Sequence, residues 1–169
     1  MNGYSDEISI ETTEANEPLF VAVPINDVVM QICEGITKLK NAQVNSFNEC
    51  ELICQIQGEN HLTLDLQRLG ADLEAEAKER IRLSQVQLFL YLLYAWRNVR
   101  RNNFTLDLKD FYKIRCISRR SENQKRLIED LELLQSINIS ISGKNKKQTY
   151  YASGSVCMIL VLTIFHESV

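Results

Sequence analysis

Arg115, Arg119, Arg120, Lys125, Arg126, Lys144, Lys146 and Lys147 are the residues of this chain most able to do chemistry by number and spacing. They belong to one basic segment. Between Ala95 and Lys147 there are 13 Lys and Arg against 6 Asp and Glu, a local balance of +7. The remaining residues carry −10, so the overall net charge of −3 conceals the asymmetry. A phosphate polymer responds to local rather than total charge, and a basic segment in an acidic chain is the usual footprint of a polyanion-binding surface.

Other chemistries find less support. The five cysteines (33, 50, 54, 116 and 157) are odd in number and irregularly spaced. Cys50 and Cys54 have no second pair beside them, and His61 and His166 do not complete a zinc set, so no metal and no cofactor is expected. Reduced, mostly buried thiols in a reducing compartment are the simpler reading. There is no phosphate-cradling glycine loop, no H-E-x-x-H and no G-x-S-x-G, so no catalytic residue is assigned and the chain reads as a non-enzyme. Asp72, Glu74, Glu76 and Glu79 spread around a helix instead of converging, as solvated charge does.

The elements that must position the cations follow from hydrophobic period. Residues 1–17 are acidic and poor in large apolar groups, and read as a flexible arm. Pro18 to Val23 reads as an edge strand, and Asn26 or Asp27 caps a helix over about 27–41. Glu51 to Gln57 and Leu62 to Leu66 alternate and read as a hairpin across Gly58-Glu59-Asn60. A charged, exposed helix follows from Asp72 to Arg82. Ser84 is read as the N-cap of a helix from Gln85 to Val99, apolar nearly all round and therefore the centre of the core. Phe104 to Leu106 is short and extended, and a brief helix spans Leu108 to Ile114. Ser121-Glu122-Asn123-Gln124 has the form of a capping box, with Ser118 as the alternative cap, and opens a helix to Gln135. Its apolar side is read as Leu127, Ile128, Leu131 and Leu134. Ile137 to Ile141 alternates as a strand, Gly143 to Lys147 is a basic turn, and Thr149 to Ala152 returns beside it. Val156 to Phe165 is a final apolar strand, shorter than the roughly 18 residues of a membrane span.

This order, with the run I-S-x-x-S…L-x-x-x-L-x-x-L from Ile117 to Leu134, resembles the winged helix-turn-helix family over about residues 83–153. The likeness is to the domains of plasmid or phage replication initiators and of bacterial transcription regulators. Many members close the recognition helix with glycine, whereas Ser136 and Asn138 stand there in this chain. The resemblance implies that the helix after Ser121 lies in the major groove of double-stranded DNA, with the Lys144–Lys147 turn on the flanking backbone. With Leu127 at 0°, Lys125 falls at about 160°, Arg126 at about −100° and Glu122 at about −140°, all away from the apolar side. Lys125 and Arg126 are therefore the expected base readers. Arg115, Arg119 and Arg120 are expected on phosphates, and Lys144, Lys146 and Lys147 on phosphates or in the minor groove.

The expectation is an α+β protein: a winged helix-turn-helix over 83–169 with an additional N-terminal α/β segment over 18–82, a candidate dimerisation part. It binds double-stranded DNA in replication or transcription as a cytoplasmic homodimer, with no membrane partner. The competing expectation is a winged-helix protein–protein interaction module, which Glu122, Glu129 and Glu132 would suit better than they suit a phosphate backbone.

Overall fold

The computed structural model describes residues 26–99, 109–145 and 148–156. The acidic arm, the strand at 18–23, the extended piece at 104–106, Lys146, Lys147 and the apolar run after Val156 lie outside the described residues.

Helix α1 spans Asp27–Lys38. Of its two candidate caps, Asn26 is the one used: its side-chain oxygen accepts from Val29 N at 2.9 Å. Val28, Val29, Ile32 and Ile36 recur at helical spacing and are buried. A single 3₁₀ turn, Leu39–Asn41, ends it. Strands β1 (Gln43–Asn45), β2 (Asn48–Gln55) and β3 (His61–Asp65) follow. Short helices α2 (Leu66–Leu69) and α3 (Glu74–Glu79) are separated at Gly70, which adopts φ 72° to stop α2. Then come α4 (Leu83–Val99), α5 (Lys109–Ile114) and α6 (Ser121–Gln135). Strands β4 (Ile137–Asn145) and β5 (Gln148–Ser155) complete the described chain.

The five strands form one antiparallel sheet in the order β1-β2-β3-β4-β5. The expected hairpin of β2 on β3 is present, with Leu52 opposite Leu64 and Cys54 opposite Leu62. β4 then pairs with β3, placing Ile139 opposite Leu62 and Ile137 opposite Leu64. Residues before position 82 and after position 83 therefore contribute to the same sheet. Leu52, Leu62, Leu64, Ile137, Ile139 and Ile141 are buried on one face, whereas Ile53, Thr63, Asn138 and Ser140 on the other are only partly covered. Burying each of those aliphatic side chains stabilises the fold by roughly 1.5–3 kcal/mol.

α1 lies across β2 and β3, and α4 packs between α1 and α6. Gly35 permits the first contact. A Cβ there would stand 2.5 Å from a methyl of the fully buried Leu62. Asn60 secures the sheet from the side. Its amide nitrogen donates to Ser142 O at 3.1 Å and to Gln31 Oε1 at 2.8 Å, and its oxygen accepts from Ser142 N at 2.9 Å. The side-chain amide thus imitates a peptide group and adds to the β3–β4 ladder. No described helix is long and apolar enough to cross a membrane.

Candidate nucleic-acid interface

α4, α5 and α6 lead directly into the β4–β5 hairpin, and local features set each junction. α5 ends at the connection Arg115-Cys116-Ile117-Ser118. Cys116 takes φ 53°, the left-handed region that favours glycine. Cys116 N donates to Lys113 O and Ile117 N to Tyr112 O, both at 3.1 Å. This pair of bonds is a Schellman motif, which reverses a helix sharply and satisfies its last carbonyls.

α6 starts without the expected capping box. Arg120 is the N-cap residue, no side chain caps it, and Ser121 is already helical. Ser118 serves differently from a cap: its carbonyl accepts from Asn123 Nδ2 at 2.7 Å. Asn123 is thereby committed to the turn. At the far end, Ser136 closes α6 in a right-handed conformation, and its hydroxyl donates to Glu132 O at 2.8 Å. Its own carbonyl accepts from Asp65 N at 2.9 Å, so the chain enters β4 without the glycine common at such ends.

The buried side of α6 also differs from the expected one. Leu127, Asp130, Leu133 and Leu134 face the core, and Leu131 packs partly against it, while Ile128 is 56% exposed. The correction has a physical cause. Asp130 occupies a core position because α4 supplies partners for its carboxylate, which displaces the apolar stripe by one residue. Asp130 Oδ1 accepts from Arg82 Nη2 at 3.0 Å and from Gln85 Nε2 at 3.0 Å, and Oδ2 accepts from Ser84 Oγ at 2.7 Å. Ser84 is therefore not the N-cap of α4, which begins one residue earlier at Leu83. Gln85 reaches back instead, its Oε1 accepting from Arg82 N at 2.7 Å.

Arg119, Arg120, Lys125 and Arg126 come together on the exposed amino-terminal half of α6 and the turn before it. Arg119, Arg120 and Lys125 form no ion pair among the described residues. Arg126 pairs with Glu122 at 3.1 Å, one helical turn away. Arg115 is half-buried, its guanidinium 5.8 Å from the centroid of the Phe111 ring. Lys144 lies in β4, opposite Thr149. The strands continue further than expected, to the pair Asn145–Gln148, so only Lys146 and Lys147 separate them.

Sequence reasoning missed Arg82. Its guanidinium also reaches Glu129 Oε2 at 3.1 Å, so one arginine bridges both acids in the middle of α6 and offsets one of their two charges. The only available signal was an arginine just before a helix of otherwise apolar character, and a partner 48 residues away is not visible in local spacing. Of the three acids expected to favour a protein partner, Glu122 and Glu129 are held by arginines and Glu132 has no ion pair among the described residues. No group of three described His, Cys, Asp or Glu side chains is placed to hold a metal ion. Cys54 lines a cleft of about 490 Å³ beside Lys38 and Ile53, but burial pushes its thiol pKa up, leaving it a poor nucleophile near neutral pH. Comparison with known protein families, with curated proteins and with solved structures finds no match for this chain.

Proposed function

We propose that this chain binds double-stranded DNA as a winged helix-turn-helix, with α6 in the major groove and the β4–β5 hairpin on the adjoining backbone, in replication initiation or transcription regulation. One observation carries the reading. Arg119, Arg120 and Lys125 are exposed together at the start of α6 with no ion pair among the described residues, so their charge is available to an incoming anion. Cations engaged by carboxylates would have to give up those partners first. The positive end of the α6 dipole adds to the same field.

The balance between this reading and a protein-interaction module turns on the acids of α6. Arg82 is shared by Glu129 and Asp130, and Arg126 offsets Glu122, so the first half of the helix is cationic and the carboxylate charge left over falls in its second half. That favours a phosphate backbone over a basic protein surface. Arg119, Arg120 and Arg115 hold phosphates and Lys125 reaches a base edge, while Arg126 stays paired with Glu122, in a reading without any catalytic step.

A titration of a fluorescent random-sequence duplex at low salt tests it. The intact chain should bind, and the variant carrying Arg119→Ala, Arg120→Ala and Lys125→Ala should bind at least roughly ten-fold more weakly. Equal affinity of the two proteins, or no binding by either, overturns the proposal.

A further inference from the structure

Ile128 lies in the second turn of α6 and stands largely in solvent. Single exposed aliphatic side chains are ordinary on protein surfaces. The setting of this one is not explained by the core, because Leu127, Asp130, Leu133 and Leu134 already fill the buried side of the helix. Ile128 projects about 60° around the helix from Lys125 and about 20° from Ser121, so the three make one row along the cationic half. A β-branched side chain on a helix has essentially one χ1 rotamer, and its apolar end is held in place before any partner arrives.

Within the major groove the four bases expose donors, acceptors and a single apolar group, the 5-methyl of thymine. An aliphatic side chain beside a lysine on a groove-facing helix matches that pattern: one residue for a methyl, its neighbour for an acceptor or a phosphate. We infer that Ile128 is a specificity-determining residue which packs against the 5-methyl group of a thymine, while Lys125 engages the adjoining base or backbone. The inference rests on the duplex-binding reading above and adds to it a chemical class of site, one containing thymine at the step under the second turn of α6.

The test removes the methyl and nothing else. Duplexes enriched by the intact chain from a random pool are resynthesised with deoxyuridine replacing each thymine in turn, which leaves every hydrogen-bonding group unchanged. One replacement should weaken binding by roughly four-fold, the effect of withdrawing one buried methyl. Ile128→Ser and Ile128→Asn, which carry no methyl, should bind the thymine and deoxyuridine duplexes equally, and as exposed substitutions both should melt close to the intact protein. Two variants are used so that a folding defect in one does not decide the result. If the pool enriches no sequence, if no replacement matters, or if the variants keep the discrimination, the inference fails while duplex binding stands. If the intact chain binds no duplex at low salt, both fail.

Discussion

At the scale of single residues, backbone geometry and burial decide more than side-chain identity suggests. Cys116 occupies a left-handed position that reverses the chain between α5 and α6. A residue with a Cβ is strained there by roughly 1–2 kcal/mol, whereas glycine is not. Cys116→Gly should therefore raise stability by about 1 kcal/mol, read from the urea midpoint; a fall would show that the exposed side chain contributes more than the backbone costs. Cys33 behaves differently. Burial pushes its thiol up from 9.0 to about 11, because the folded protein disfavours the thiolate. A group raised in this way contributes its stability below the unfolded value, and the contribution is lost as pH rises from 9.0 towards about 11. The urea midpoint of the intact protein should fall more steeply across that window than that of Cys33→Ala. Parallel falls would contradict the burial of this thiol.

Between elements, the decisive interaction is the one that ties α6 to α4. Asp130 is 1% exposed and its carboxylate accepts from Arg82, Ser84 and Gln85. Asp130→Ala leaves those donors facing a cavity. The destabilisation should be about 2–3 kcal/mol, less than for a fully buried pair because Arg82 keeps Glu129. Chemical denaturation measures it, and an unchanged midpoint would show that the helices are held by apolar packing alone. Here, too, local sequence stops being informative. The helical period of Leu127, Leu131 and Leu134 is legible, and so are strands β2 and β3, since apolar spacing reports one face of an element, although Leu66, which continues the alternation, opens α2 instead. Ile128 reads as core in the sequence because the true stripe is completed by a carboxylate, and only a partner on another helix makes a buried aspartate tolerable. Ser84 and Ser121 carry good capping chemistry, yet neither caps, for Ser84 is drawn to Asp130 and α6 begins a residue early. β1 and α2, with three and four residues, are too short to show a period.

Across the whole molecule, β3 and β4 pair although α2 through α6 separate them in sequence. No local pattern announces such a pairing, which is why the amino-terminal segment and the helices carrying the cations look separable by composition. Their sheet is shared, with Asn60 adding side-chain bonds to Ser142 at its margin. The charge asymmetry, by contrast, is visible directly in the sequence, and α6 displays part of it on an exposed half-helix. Lys144 stands on β4 close in sequence to Lys146 and Lys147, of which the last two lie outside the described residues. If the cations of α6 meet phosphates, their number is countable, because each neutralised phosphate releases counterions to the solution. The most direct measurement is the slope of log affinity against log salt for a random-sequence duplex, compared between the intact chain and the variant with Arg119, Arg120 and Lys125 all changed to Ala. The account predicts a steep slope for the intact chain and one shallower by about 2 for the variant, roughly 0.9 for each of the two phosphates that Arg119 and Arg120 no longer neutralise. Equal slopes would contradict it, because they would place the phosphate-binding cations somewhere other than the start of α6.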